Sequence, residues 1–343
     1  MTQKNFFLFF FLILTILSAA TLKADNAVQN DTESAMMSTS AVHTSLKYWT
    51  PERMANAKPY PDVFPRFAKK SAVPTRPGTP GSGDSGLPGE SIYDVITRTL
   101  PFAVAPNSTQ GYTYPAPFAR YQNFDPYSKF PYSAVVKVFF SDGGNDYVCS
   151  GSVWPSRSVL TAGHCVYNND AHRYHTNVVV VPQYLNGQGP FGTFNASSLQ
   201  TTKGWQDGDF SFDFGLIQIA DKGGNKISSY TGFLGARWNV TAVQHFTIIG
   251  YPAGRPFTGA TQQICQSSFA YFDSGDPQPI GVGCDLTGGS SGCPWIIRFS
   301  GAAGGNNQVN GLMSYGYPSR PKDSYSPYFG DAAKNFWNYA RTH

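Results

Sequence analysis

A chain of 343 residues with 41% hydrophobic and only 13% charged residues is long and apolar enough to build a large core. Its net charge of +4 is small and no dense Lys/Arg run occurs, which excludes a nucleic-acid partner on electrostatic grounds. Five cysteines fit an oxidising compartment, with one left over from pairing.

In chain order, Lys4 precedes an apolar run over residues 6–17, and Ser18, Ala19, Ala20 and then Ala24 offer small residues for cleavage. Residues 1–24 therefore read as a signal peptide. A membrane anchor needs ~18 or more apolar residues, and neither this run nor any later one is that long. The mature protein is expected to be secreted, extracellular and without a membrane partner. Residues 25–130 differ in composition: 14 of the 25 prolines lie between Pro51 and Pro131, and residues 75–89 read as a flexible Pro/Gly/Ser linker. Such a segment is expected to bury little core and to act as a spacer, although residues 92–130 could wrap the mature protein.

From Pro131 the pattern is β-rich. Residues 133–140, 177–181, 213–219 and 245–249 are short runs of branched and aromatic residues between Gly, Pro, Asn or Asp breakers. No alternation of strand and helix appears, so residues 131–343 are expected to be all-β, as one sandwich or a pair of barrels, between which periodicity does not choose. After Asp331, Ala333, Phe336, Trp337 and Ala340 recur at helical spacing and predict a C-terminal helix with one apolar face.

Three stretches carry chemistry. Gly288-Gly289-Ser290-Ser291-Gly292-Cys293-Pro294 has the form of a nucleophile loop, in which glycines let the backbone expose a serine oxygen and aim amides at a developing oxyanion. Taken alone it could equally be a surface turn. A serine hydroxyl needs a base, and Thr161-Ala162-Gly163-His164-Cys165 supplies one. The base in turn needs a buried carboxylate to fix its tautomer; Asp213, opening the apolar run Phe214-Gly215-Leu216, is the candidate. Asp209 competes, but its Gly208-Asp209-Phe210-Ser211 setting is turn-like.

These motifs, in the order His, Asp, Ser, resemble those of the secreted trypsin-like (chymotrypsin-fold) serine endopeptidases, and among them the microbial branch that includes the glutamyl endopeptidases. The resemblance covers Pro131 to the C-terminus. It implies two antiparallel six-stranded β-barrels with a C-terminal helix, His164 as general base, Asp213 as its orienting carboxylate, Ser291 as nucleophile, and the amides of Gly289 and Ser291 as oxyanion hole. It also implies protein or peptide substrates, no cofactor, a monomer, and removal of residues before Gly89 as the propeptide of a zymogen. The other class of function on the same fold is a catalytically silent secreted binding protein; all three triad candidates being present favours the enzyme.

Cys149 with Cys165 would brace the strand delivering His164, closing a loop of about 16 residues, a bridge that stabilises by ~3 kcal/mol on chain-entropy grounds. Cys265 with Cys284 is the second expected bridge, leaving Cys293 as a buried, inert thiol. Two departures from the family stand out. Ser290 occupies the place where many relatives carry an aspartate that receives the freed N-terminal ammonium, so that ion pair cannot form. Met313, before Ser314 in the stretch Ser314-Tyr315-Gly316 that resembles the substrate-aligning strand, stands where glutamyl-specific relatives carry a histidine, which disfavours glutamate specificity. Ser314 and Gly316 are expected to bind substrate. Asp285, six residues before Ser291, either floors the primary pocket and favours basic residues or accepts from nearby backbone amides. His172 and His175 lack acidic or thiol partners and are expected to be solvated or structural, with no metal. Sequons lie at Asn30, Asn107, Asn195 and Asn239.

Overall fold

The computed structural model describes residues 32–36, 45–65, 78–88, 115–125, 127–301 and 305–343. The signal-peptide reading, about half of residues 25–130 and the sequons at Asn30 and Asn107 lie outside them. Six strands form a first barrel: β1 (Val135–Asp142), β2 (Asn145–Val153), β3 (Ser158–Thr161), β4 (Thr176–Pro182), β5 (Phe194–Thr202) and β6 (Gly215–Ile219). They pair antiparallel in the order β5-β4-β1-β2-β3-β6, and β6 returns to β5, so the sheet closes on itself and exposes no edge within the ring.

The sequence explains why β1 is covered on both sides. Its Val135, Val136, Val138, Phe139 and Phe140 are all fully buried, so both pleat faces are covered and the run reads as continuously apolar rather than alternating. The outer face receives Trp49, whose ring lies 5.4 Å from that of Phe139 and whose indole donates to the Asn177 carbonyl at 2.5 Å. The expectation of little core before Pro131 therefore needs amending: Trp49 and Met54 join the main apolar cluster.

The second sheet contains β7 (Gly235–Trp238), β8 (His245–Gly250), β9 (Gln263–Phe272), β10 (Ile280–Gly283), β11 (Pro294–Ile297), β12 (Gln308–Leu312), β13 (Tyr315–Tyr317) and β14 (Arg320–Ser326). Their order is β13-β14-β10-β9-β8-β11-β12-β7, and two earlier segments add to it. Gly81–Gly83 pairs with β7, and Phe118–Gln122 pairs with β9. Proline spacing hid both strands, because each is held by its neighbour's backbone rather than by an apolar pattern of its own. The C-terminal helix, Asp331–Thr342, buries Ala333, Phe336, Trp337 and Ala340, the face its spacing predicts. Trp337 meets Trp154 of the first barrel at 5.2 Å, edge to face.

Candidate active site

Register brings the site together. Thr161, the last residue of β3, is the cross-strand partner of Gly215, the first residue of β6. His164 follows the one by three residues and Asp213 precedes the other by two, so antiparallel pairing delivers both to the same end of the barrel. Asp213 ends a short helical turn, Phe210–Phe212, whose Phe212 carbonyl is tied down by Thr202 Oγ1 at 2.5 Å; Thr201 Oγ1 holds the Phe214 carbonyl at 2.8 Å. Asp209 instead accepts from the Ser211 amide at 2.9 Å and caps that turn.

The Asp213 carboxylate is fully buried and accepts three hydrogen bonds. The His164 backbone N–H reaches Oδ1 at 2.8 Å, His164 Nδ1 reaches Oδ2 at 2.8 Å, and Ser314 Oγ reaches Oδ2 at 2.5 Å. An acid excluded from water is costly unless its lone pairs are occupied, and here they are. Because the carboxylate accepts from Nδ1, that nitrogen carries the ring proton and Nε2 is left as the basic one. Trp205, itself anchored through Nε1 to the Tyr167 carbonyl at 3.1 Å, closes the edge of the His164 ring at a centroid distance of 6.0 Å. His175 lies deep below: its Nε2 donates to the His164 carbonyl at 3.0 Å, while His172 is exposed. The two histidines, close in sequence, thus have unrelated surroundings.

The loop Gly288–Pro294 docks against the first barrel at Ser150 and Cys165, the residue after His164. The Ser150 amide donates to the Ser291 carbonyl at 2.8 Å, and Cys165 Sγ lies 3.8 Å from the same oxygen. Gly292 has φ +80°, and a Cβ there would sit 2.1 Å from Thr161 Oγ1 and 2.7 Å from the Ala162 amide, so no other residue fits. Gly289 has φ +95° and a Cβ there would press 2.9 Å from the Ala253 amide. Its carbonyl accepts from Ser150 Oγ at 2.9 Å. Among the described residues the amides of Gly289 and Ser291 have no acceptor, whereas those of Ser290, Gly292 and Cys293 all donate within the fold. Two unsatisfied donors on one turn are an anion-binding geometry.

Cys149 is bonded to Cys165 and Cys265 to Cys284, as the motifs led one to expect, while Cys293 is a free, buried thiol that burial pushes well above the usual thiol range. Ser290, buried, donates to the Thr287 carbonyl at 2.7 Å and needs no ionic partner. Met313 packs into the second apolar cluster. Asp285 is paired with Arg120 of the added strand at 3.1 Å. Ser314 turns its hydroxyl to Asp213, and around Gly316 only the Asp323 carbonyl oxygen comes within 4 Å of a built Cβ. Among the described residues the one trio with metal-capable atoms is Cys149, His164 and Cys165, whose sulfurs are already spent on a disulfide. Asn239 Nδ2 donates to the Thr79 carbonyl and to Asp331, and Asn195 is buried.

A model of the family described as Trypsin matches residues 122–320, more than half of the chain. The chain belongs to the trypsin family. It is 27% identical over 167 residues to the glutamyl endopeptidase of Bacillus licheniformis, a match covering 48% of this chain and 49% of that protein. It thus spans about half the length of that relative. Two solved structures align at higher identity. The protease Anisep from Arthrobacter nicotinovorans gives 31% identity and a TM-score of 0.58, covering 66% of this chain and 100% of that one. The thermostable serine protease AL20 from an extremophilic microorganism gives 32% identity and a TM-score of 0.57, covering 61% and 97%. The chymotrypsin-like fold expected from the motifs is the fold of this trypsin-family chain: a closed six-stranded barrel, a second antiparallel-dominated sheet and a C-terminal helix.

Proposed function

We propose that the protein is a serine endopeptidase acting by acyl transfer through Ser291. The observation that carries this reading is the arrangement at Asp213, whose buried carboxylate fixes the His164 ring through Nδ1 beside a loop with two free amides. In the reaction, His164 Nε2 removes the Ser291 hydroxyl proton as Oγ attacks the substrate carbonyl. The amides of Gly289 and Ser291 receive the oxyanion, and His164 returns the proton to the leaving amine. Water then hydrolyses the acyl-enzyme by the same route. Asp213 stays ionised throughout, stabilising the imidazolium that forms.

Substrates are proteins or peptides. Because Arg120 occupies the Asp285 carboxylate, we read Asp285 as tying the added strand to the base of the loop rather than as a free counter-charge for a basic substrate residue. Export is part of the same proposal. It is supported by the two disulfides.

A fluorophosphonate reagent tests the chemistry. The folded protein should be labelled on Ser291 and the urea-unfolded protein should not; Ser291→Ala should abolish labelling and lower peptide hydrolysis by several orders of magnitude. Near-normal hydrolysis by Ser291→Ala would remove Ser291 from the mechanism.

A further inference from the structure

A segment far upstream lies across this site. Lys58–Pro59 pairs with Tyr147 and Val148 of β2, and it runs parallel to them. The next residue, Tyr60, lays its ring over His164 at a centroid distance of 6.0 Å and an interplanar angle of 23°, and also touches Tyr147, Phe140 and His175 at 5.0, 5.4 and 5.3 Å. Around Gly288 in the nucleophile loop, the atoms closest to a built Cβ are Pro59 Cβ at 2.9 Å, Asp62 Oδ1 at 3.3 Å and the Tyr60 carbonyl at 3.7 Å. Phe64 then reaches Tyr317 of β13 at 6.3 Å. With Tyr60 on one side and Trp205 on another, His164 is only 2% exposed, an unexpected state for a group that must exchange protons with a bound substrate.

The segment is firmly anchored on its amino-terminal side. Trp49 is sunk against β1, Tyr48 donates to Asp146 at 2.6 Å, and Arg53 pairs with Asp146 at 3.0 Å. Thr50 caps the short helix Pro51–Asn56 that aims the chain at the cleft.

Its direction matters. In acyl transfer the substrate nitrogen departs toward His164, which protonates it, so the carboxyl-terminal half of a substrate lies on the first-barrel side and the acyl half on the side of the second sheet. Residues 58–64 run the other way, entering over the first barrel at β2, crossing His164 and leaving over β13. No peptide bond of a chain laid in that sense offers its carbonyl to the amides and its nitrogen to Nε2 in productive order. We propose that residues 58–65 are an autoinhibitory strap, bound in the substrate groove with reversed polarity, so that it blocks the site without being cut. This rests on the peptidase reading and adds a regulatory role to the chain upstream of the family match: the full-length protein is latent, and activation requires the strap to leave.

The test uses the full chain, confirmed intact by mass, with two readouts: labelling of Ser291 by a small fluorophosphonate and hydrolysis of a fluorescent protein substrate. Wild type and Tyr60→Ala/Phe64→Ala should both be labelled, while the variant should hydrolyse the protein substrate at least tenfold faster. Equal hydrolysis by the two would overturn the strap and leave the peptidase reading standing. Absence of labelling in both would overturn the peptidase reading, and the strap with it. Because Tyr60 also packs on the first barrel, a synthetic peptide of residues 58–65 provides a second measurement. Added to the variant, it should inhibit competitively and be recovered uncut; rapid cleavage would show that it binds in the substrate direction and would overturn the reversed polarity.

Discussion

The two halves of the site are fixed by different means. On the first barrel the proposed functional groups are side chains, and each is locked by hydrogen bonds inside a dry interior: Asp213 by three donors, His164 by Asp213 and, through its carbonyl, by His175. On the second side the proposed functional groups are largely backbone, two amides without an acceptor among the described residues, presented by a turn whose shape depends on positive φ at Gly289 and Gly292. The first half is therefore sensitive to a change of one atom with the fold intact. The second is sensitive to a change of volume with the chemistry of every side chain intact.

Asp213→Asn gives the largest effect that leaves the shape alone. An amide can still accept from His164, but it can also donate, and it no longer stabilises the imidazolium or enforces protonation at Nδ1. Turnover should fall by about 10⁴ while the melting temperature moves little. A loss in stability matching the loss in rate would show that Asp213 acts through the fold. Gly292→Ala breaks the other half. A methyl 2.1 Å from Thr161 Oγ1, at φ +80°, forces the loop off the first barrel, with an expected loss of about 3 kcal/mol or more in urea unfolding. If the variant keeps wild-type stability and rate, the loop is more yielding than its contacts imply.

Much of this was legible in the sequence, for a physical reason. The motifs around His164, Asp213 and Ser291 are local: a glycine where the turn needs one, an acid where an apolar strand begins. The C-terminal helix was equally visible because a 3.6-residue period writes its buried face into the chain. What was hidden is long-range. Arg120 meeting Asp285, Ser314 meeting Asp213, His175 supporting the His164 carbonyl and Tyr60 covering its ring are all contacts between segments that no spacing rule connects. The strands Gly81–Gly83 and Phe118–Gln122 belong to the same class, since an added edge strand needs only backbone donors and acceptors and leaves no apolar signature. Spacing could mark His175 as structural but could not say what it supports.

The two halves also touch at a titratable group, which offers the gentlest way to sharpen the comparison. Lys137 points from β1 into the seam, 3% exposed, and donates from Nζ to the Gly259 carbonyl at 2.8 Å. The loop it reaches carries Ala253, whose amide bonds the Gly288 carbonyl at 2.8 Å and whose backbone backs Gly289. Burial lowers the Lys137 ammonium to about 7. The rings of Tyr184 and Phe139, at 4.3 and 5.0 Å, favour the charged form and offset part of that cost. Below about pH 7 the group is protonated whether the chain is folded or unfolded, and the full burial cost is present. Between about pH 7 and the ordinary lysine value near ~10.4, the unfolded chain holds a proton that the folded chain lacks, so stability rises with pH, by at most about 1.4 kcal/mol per unit. Lys137→Met should be more stable than wild type at pH 6 and should lose that rise, so that the two stability curves converge toward pH 10. It should also change turnover only a few-fold, since the methionine still fills the seam but no longer holds the loop behind Gly289. Parallel unfolding curves across this range would mean that the lysine keeps its charge in the seam, and that the two halves of the site are joined by a permanent cation rather than by one that titrates.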